Sequence, residues 1–162
     1  MNTTYPMCYS KSIQTRLVFP PDTNHHDSIF GGKVLAYIDE IAAIAAMKHS
    51  QGEVVTASFD SVDFVSPAYA GDMIELEAMV TGTGRTSMEV YVRVVSRNVK
   101  TGAKKLTTES FVTMVAIDAE GNPKEVPGVE PETDFERHLF ETGPIRQEHR
   151  KQKRALSKKR RG

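Results

Sequence analysis

The chain contains 162 residues and has a mass of 18.0 kDa, which suits one compact domain or one domain with a tail. Apolar residues make up 39% of the chain and charged residues 26%, a balance that excludes a wholly disordered protein. The single cysteine, Cys8, excludes an intramolecular disulfide and a cysteine-based zinc site, and we expect it to lie in a frayed N-terminus. No secretory signal and no membrane-spanning run is recognisable, so the sequence predicts a cytoplasmic protein.

The formal net charge of zero conceals an asymmetry. Residues 145–162 carry nine basic side chains and one acidic side chain, whereas residues 1–144 carry 12 basic and 20 acidic ones. This basic tail has too few apolar residues to form a core, so we expect it to be disordered, with a lone basic helix as the alternative. Prolines and glycines indicate a linker over residues 121–144, with a short helix from Asp134 to Glu141. The compact domain is therefore predicted over residues 10–120.

Within this domain, the apolar periodicity predicts five strands and one helix. One strand comes first, then the helix, and then four strands joined by short turns. This order favours an antiparallel sheet with the helix packed on one face, which is an α+β class. The strands are predicted at residues 13–19, 54–65, 73–80, 88–95 and 106–117, and the helix at residues 32–49.

The predicted helix is apolar around nearly its whole circumference. At about 100° per residue, Val34 and Ile38 fall on one side, whereas Leu35 and several alanines fall on the other. A sheet covers only one side, so the alanine-rich side requires a second partner, for which another copy of the chain is the simplest choice.

Asp39 lies at the centre of that alanine-rich side, where no residue one turn away can neutralise it. Two interpretations have similar weight. In the structural one, the carboxylate is partly solvated or forms an ion pair with a distant arginine. In the functional one, it is a general base or a nucleophile.

Two glycines, Gly31 and Gly32, open the helix. They allow a ligand to approach the first free amides, which carry the positive end of the helix dipole and can polarise a carbonyl group. A tight loop is the alternative interpretation. His25 and His26 precede them, but adjacent histidines match no catalytic zinc spacing, which favours a polar loop over a metal site. No nucleophile elbow, P-loop or dinucleotide-binding motif occurs.

Six segments follow one another along the domain: Pro21-Asp-Thr-Asn-His-His-Asp-Ser-Ile-Phe-Gly-Gly, Tyr37-Ile-Asp-Glu, Val54-Val-Thr, Asp63-Phe-Val-Ser-Pro, Gly71-Asp and Gly84-Arg-Thr-Ser. Together they resemble the hotdog-fold acyl-CoA thioesterases, in the hexameric branch that includes the brain-type acyl-CoA hydrolases. The resemblance covers residues 10–120 with every segment in order. It implies a curved antiparallel sheet wrapped around one long helix, with two such domains side by side and three pairs in a homohexamer.

The resemblance implies the hydrolysis of acyl-CoA thioesters to free acid and coenzyme A. It implies a catalytic pair, Asn24 in the loop and Asp39 on the helix, which meet across the dimer interface, with the amide of Gly32 polarising the thioester carbonyl. Asp39 then activates water or attacks the carbonyl itself. No metal or organic cofactor is implied. Coenzyme A is expected to contact Gly31, Gly84, Arg85, Thr86 and Ser87.

Two other functions stay open on the sequence alone. One is a hotdog dehydratase that acts on acyl thioesters. Such an enzyme is expected to use a histidine together with an acidic residue, but the predicted helix has no histidine before His49. A non-catalytic acyl-CoA sensor would use the basic tail as its effector. For the tail itself, we rank a solvated extension first, attraction of coenzyme A phosphates next, and binding of nucleic acid or anionic lipid last.

Overall fold

A computed structural model describes residues 3–162 of the chain. The strands outnumber the helices, as the sequence predicts, and the first long helix again follows an early strand. The elements are β1 (Thr4–Pro6), β2 (Ser12–Leu17), α1 (Gly31–Ser50), β3 (Glu53–Phe64), β4 (Met73–Thr83), β5 (Ser87–Arg97), β6 (Lys104–Ile117), β7 (Gly128–Glu130) and α2 (Asp134–Arg161).

Five strands form one antiparallel sheet in the order β2-β4-β5-β6-β3. The predicted α+β class and antiparallel pairing are confirmed. β2 and β3 are consecutive strands but occupy opposite edges, so the chain between them, which includes α1, has to cross the whole sheet. The hairpin between β4 and β5 is tighter than predicted, because β4 continues to Thr83 and leaves only residues 84–86 in the turn.

The sheet wraps around α1, which contacts all five of its strands. Val34, Ile38 and Ile41 are buried against it, as the periodicity predicts. Ala42 and Ala46, on the side that we expected to need a second partner, are buried within the chain as well. We expected the whole alanine-rich side of the helix to need a second partner, but only part of it does, because a curved sheet covers more of a helix than a flat one. The part of α1 left incompletely covered is narrower and consists of Leu35, Ala36, Asp39 and Ala43.

A second, smaller core forms on the outer face of the sheet, which we define as the face opposite α1. Its members come from five separate parts of the chain. They are Met7, Met79, Tyr91, Val129 and Leu139, and all five are buried.

This outer core corrects two expectations about the ends of the domain. The N-terminus is not frayed, because β1 pairs in parallel with β7 and Met7 is fully buried. The same pairing places a strand inside the segment that we predicted as linker and short helix. Parallel pairing of two three-residue strands is weak by itself, and the buried Met7 and Val129 beside them supply the apolar contact that stabilises it.

The basic tail is also ordered, which corrects our expectation of disorder over residues 145–162. α2 begins with Thr133 as its N-cap, whose hydroxyl accepts from the Glu136 amide at 3.1 Å, and continues through Pro144 to Arg161. A proline inside a helix removes one hydrogen bond and crowds the carbonyls of the preceding turn.

No helix among residues 3–162 is both long and apolar enough to cross a membrane.

Side chains add hydrogen bonds to the turn before Pro144. Arg146 Nη2 donates to the Leu139 carbonyl at 2.5 Å, and Thr142 Oγ1 donates to the His138 carbonyl at 2.8 Å. Pro144 leaves the Phe140 carbonyl without its backbone donor, but these bonds to the neighbouring carbonyls stabilise the turn, and the helix continues where the sequence alone predicts that it ends.

α2 is attached to the outer face by a buried ion pair. The side chain of Glu89, on β5, is 3% exposed, and its carboxylate accepts from Arg146 Nε and from Arg150 Nη1, both at 2.9 Å. Thr81 Oγ1 donates to the same carboxylate at 2.9 Å. The other seven basic side chains of residues 145–162 form no ion pair among the described residues, but these two arginines connect the tail to the sheet.

The two arginines reverse the effect of burial on the pKa of the Glu89 carboxyl. Burial alone would raise the pKa of the Glu89 carboxyl, because a charged group loses its hydration there. The hydrogen bonds and positive charge of Arg146 outweigh this penalty and hold the pKa below its ordinary value, with a smaller effect from Arg150. The carboxylate is therefore charged in the folded protein at neutral pH.

Replacing both Arg146 and Arg150 with alanine is expected to lower the free energy of unfolding by about 3–5 kcal/mol, since a buried carboxylate is left without a cation. Because the pKa of Glu89 is depressed by folding, the stability that the ion pair supplies is present above pH 4.5 and is lost as the pH falls through the folded-state pKa. Urea unfolding at pH 7 and pH 3 measures both effects. Lys151→Gln, on the exposed side of the same turn, is the matched control, and a double variant as stable as this control at pH 7 contradicts the ion pair's role.

Candidate active site

Asp39 lies two turns into α1, partly buried, and its Oδ1 accepts a hydrogen bond from Thr56 Oγ1 at 2.6 Å. Thr56 belongs to β3, the edge strand that follows α1. No lysine, arginine or histidine among residues 3–162 forms an ion pair with Asp39, which removes the distant-arginine interpretation within the described chain. Thr56 thus fixes the orientation of the carboxylate and leaves its second oxygen available.

The first amides of α1 lie at the opposite end of the site. Among the described residues, no hydrogen bond engages the N–H groups of Gly31 and Gly32, because the bonds of the first turn begin with Lys33 and Val34 donating to the Phe30 carbonyl. Free amides at the start of a helix bind anionic or polarised oxygens. A Cβ atom on Gly32 would meet nothing within 4 Å, so the helix surface beside Gly32 is open.

An apolar cavity of about 320 Å³ lies next to these amides. Gly31 borders it, and a Cβ atom there would come within 3.3 Å of the Phe64 ring, so the glycine allows the ring to pack against the helix start. The remaining lining residues are mostly apolar, namely Ile29, Val34, Val65, Pro67 and Ala68, together with Ser66 and Thr107.

Asn24 lies in the loop before α1, partly buried, where its side chain organises its own turn. Asn24 Oδ1 accepts from the His26 amide at 2.8 Å and from Ser28 Oγ at 3.2 Å. The residue between them, Asp27, has a positive φ of 61°, a conformation that a hydrogen-bonded loop can stabilise. The backbone amide of Asn24 donates to the Ser28 carbonyl at 2.9 Å, whereas the side-chain nitrogen Nδ2 has no hydrogen-bond partner among residues 3–162 and is free to donate.

The structure does not bring all the predicted catalytic residues together within one chain. Asp39 lies seven residues after Gly32, which places it about 10 Å further along the helix axis at 1.5 Å per residue. No hydrogen bond joins Asn24 to Asp39 among the described residues. A carbonyl oxygen on the helix amides is therefore out of reach of the same chain's Asp39.

The remaining predicted site residues form the turn between β4 and β5. The Gly84 amide donates to the Ser87 carbonyl at 2.9 Å, and a Cβ atom on Gly84 would lie 2.7 Å from Ser87 Oγ, so a larger residue there would require the serine hydroxyl to rotate away. Arg85 is exposed and lies 3.9 Å from Glu125. Gly84, Thr86 and Ser87 border a polar cavity of about 450 Å³ between the outer face and α2, which Arg150 and Arg154 also line.

The strand register connects this turn with Asp39. Thr56 pairs with Met114 on β6, and Met114 pairs with Met88 at the start of β5. Two strand spacings, about 10 Å, therefore separate Thr56 from the end of the turn at Ser87.

The strand that carries Thr56 has a free edge. β3 has 12 residues and no neighbour on its outer side within the chain. Val55, Phe59 and Phe64 on this strand are 46%, 36% and 55% exposed. A long apolar strand seldom stays uncovered at a sheet edge, since it offers unpaired backbone groups to another chain.

Comparison with known proteins identifies the family. The thioesterase superfamily pattern matches residues 26–103. A Bacillus subtilis protein described as an uncharacterized acyl-CoA thioester hydrolase is 47% identical over 148 residues, which cover 91% of this chain and 86% of that protein. The chain belongs to the thioesterase superfamily. The hotdog fold expected from the sequence is thereby confirmed.

Two solved structures are similar over nearly the whole chain. An apo-hexameric acyl-CoA thioesterase is 65% identical with a TM-score of 0.93, over 95% of this chain and 99% of that one. An acyl-CoA hydrolase from Staphylococcus aureus, in complex with butyryl coenzyme A, coenzyme A and coenzyme A disulfide, is 49% identical with a TM-score of 0.93, over 96% of this chain and 95% of that one.

The S. aureus enzyme has also been solved with single alanine replacements of an asparagine, an aspartate and a threonine. Along that chain the asparagine and aspartate are 15 residues apart, and the aspartate and threonine are 17 apart. Asn24, Asp39 and Thr56 have the same spacings here. Our sequence analysis assigned no role to Thr56, although it quoted the segment Val54-Val-Thr.

His25 and His26 stack on each other with ring centroids 3.9 Å apart and are exposed. Within residues 3–162, no group of three or more His, Cys, Asp or Glu side chains is arranged to hold a metal ion.

The loop function of Asn24 can be measured without substrate. Asn24→Ala removes the acceptor of the His26 amide, and hydrogen–deuterium exchange of residues 24–29 is expected to accelerate about fivefold, the equivalent of one hydrogen bond of about 1 kcal/mol. Asn24→Asp keeps an acceptor oxygen and should exchange at the wild-type rate. Unchanged exchange in the alanine variant would show that Ser28 and the backbone hold the loop alone.

Proposed function

We propose that this protein hydrolyses acyl-CoA thioesters to free acid and coenzyme A. The observation that carries the proposal is the Asp39 carboxylate, which Thr56 holds in the middle of α1. The same three residue types at the same spacing in the S. aureus acyl-CoA hydrolase support it, as do the acyl-CoA thioester hydrolases among the relatives.

In this proposal, the amides of Gly31 and Gly32 bind the thioester carbonyl oxygen. Their partial positive charge stabilises the negative charge that develops on this oxygen during attack. The apolar cavity beside Gly31 offers the adjoining alkyl chain a place away from water. A thioester is already electrophilic, so this polarisation and one carboxylate are sufficient chemical groups.

Asp39 acts in one of two ways, which the geometry supports equally. As a general base, it takes a proton from water, the oxygen attacks the carbonyl carbon, and the proton passes to the departing coenzyme A sulfur as the C–S bond breaks. As a nucleophile, it forms a mixed anhydride and expels the thiolate, after which water hydrolyses the anhydride. Asn24, with its free amide nitrogen, orients the water or the carbonyl.

The site is composite in this proposal and uses two chains. Asp39 of one chain lies about 10 Å along the helix from its own Gly32 amides, too far to attack a carbonyl bound there. A two-fold axis at the free edge of β3 pairs the two β3 strands and sets the two α1 helices antiparallel. Asp39 of one chain then faces Asn24 and Gly32 of the other. The hexameric relatives support self-association, and three such pairs would form a hexamer.

We assign the coenzyme A moiety to the turn that begins at Gly84. The turn lies about 10 Å from Thr56 in the strand register. Arg85 extends from it into solvent and offers a cation to the phosphates. The S. aureus relative binds coenzyme A itself, in keeping with a groove for this carrier.

Asp39→Ala is expected to reduce kcat for acyl-CoA hydrolysis at least 100-fold, since it removes the base or nucleophile. Thiol release from a panel of acyl-CoAs measures the effect, and the oligomeric state should stay unchanged. Asp39→Asn keeps the shape and tests the charge alone, while Glu40→Gln, the next residue on the helix surface, is the matched control. Near-normal turnover of Asp39→Ala would eliminate the assignment, and coenzyme-bound but inactive wild-type protein would indicate a sensor instead.

Mixing two inactive variants tests the composite site. Asn24→Ala and Asp39→Ala homodimers each lack one member in every site. In a mixed dimer, one site carries both lesions and the other is intact, so random reassortment returns about a quarter of wild-type activity if the sites act independently. If both residues came from one chain, every site would keep one lesion. Mass spectrometry verifies subunit exchange, and an inactive mixture with proven exchange refutes the shared site.

A further inference from the structure

β3 departs from regular pairing right after the residue that holds Asp39. Thr56 opposes Met114 of β6, but Ser58 opposes the very next residue, Thr113. Ala57 is therefore an extra residue, a β-bulge. Bulges reverse the alternation of side chains along a strand, so the position of this bulge decides that Thr56 faces α1 while Ser58 faces the outer side.

A second bulge follows three residues later. Phe59 opposes Val112 and Ser61 opposes Phe111, which leaves Asp60 as the extra residue. The second reversal restores the alternation for the rest of β3. The two bulges therefore depend on each other, and both would have to move if the register of β3 slipped.

The side chain of Asp60 accepts two hydrogen bonds that stabilise the first bulge. Its Oδ1 accepts from Ser58 Oγ at 2.6 Å, and its Oδ2 accepts from Thr113 Oγ1 at 2.5 Å. Ser58 and Thr113 are the register partners just beyond the bulge. The carboxylate thus holds the two strands together at the point where their register changes.

Two residues of α2 contact Asp60 on the outer face of the sheet. Arg150 Nε lies 4.0 Å from Asp60 Oδ2, and Lys153 Nζ donates to the Asp60 carbonyl at 3.2 Å. Arg150 also donates to the buried Glu89. The Asp60 side chain is only 12% exposed, and aspartate is a poor strand residue, so its presence here calls for a specific interaction such as this one.

We propose that Asp60 is a positioning residue for catalysis: it pins the β3 bulges and thereby holds Thr56 in hydrogen-bonding distance of Asp39. Arg150 and Lys153 connect this function to α2, so the basic C-terminal helix supports the active site from the opposite face of the sheet. The inference rests on the proposed thioesterase function for its kinetic consequence and on the geometry of β3 for its structural one.

Asp60→Ala is expected to lower kcat for acyl-CoA hydrolysis about tenfold while KM changes less than about twofold, since a small misplacement of a reacting group affects the chemical step. Asp60→Asn keeps one acceptor oxygen and should show an intermediate loss. Glu53→Gln, which removes an exposed carboxylate from the start of the same strand, is the matched control and should behave as wild type. An unchanged kcat in Asp60→Ala overturns the proposal.

A double-mutant cycle separates positioning from a general loss of stability. If Asp60 acts through Thr56, then Asp60→Ala has little further effect on kcat in a Thr56→Val background, so the two losses are not additive. A merely structural role would lower kcat by the same factor in both backgrounds. Fully additive losses therefore overturn the proposal.

A crystal structure of Asp60→Ala provides a test that requires no turnover. The distance from Thr56 Oγ1 to Asp39 Oδ1, 2.6 Å in the wild-type chain, is expected to exceed 3.5 Å, with the register of β3 shifted at residues 57–60. A retained hydrogen bond and an unmoved bulge overturn the proposal even if the wild-type protein hydrolyses no acyl-CoA. Absence of wild-type hydrolysis with a shifted bulge would instead refute the proposed function alone.

Discussion

The hydrogen bond between Thr56 and Asp39 is the interaction on which the rest of this structure depends. Asp39 lies two turns into a helix that is otherwise packed against an apolar core, on the part that the sheet leaves incompletely covered. β3 supplies its hydrogen-bond donor, because this strand follows α1 directly and returns along its side. The contact fixes where the free oxygen of Asp39 points.

This arrangement couples chemistry to assembly. The helix amides and the carboxylate lie on one helix but about 10 Å apart, so the proposed site draws them from two chains. The strand that orients Asp39 is also the strand with a free, apolar edge. Pairing of two β3 strands would cover this edge and create the sites at once, which explains why a protein with this helix would be active only as an oligomer.

The two faces of the sheet serve different purposes. The inner face buries α1 and presents Asp39, whereas the outer face carries α2 through the buried pair of Glu89 with Arg146 and Arg150. Charge on this side has a structural function, since a buried carboxylate between two arginines resists displacement. Arg150 reaches both Glu89 and Asp60, so the outer face contacts the same strand whose Thr56 donates to Asp39 on the inner face.

The sequence by itself determined the five strands, the long helix and the anomalous position of Asp39, because these follow from local periodicity. The family resemblance added Asn24, Gly32 and the turn at Gly84. Only the tertiary structure decided the contacts of Thr56 and Asp60, because a hydroxyl or carboxylate in a strand reveals nothing until its partner, 17 or 53 residues away, is in contact. α2 continues beyond Pro144 for a related reason. Arg146 forms an ion pair with Glu89, 57 residues earlier in the chain, and only folding brings that carboxylate beside the helix.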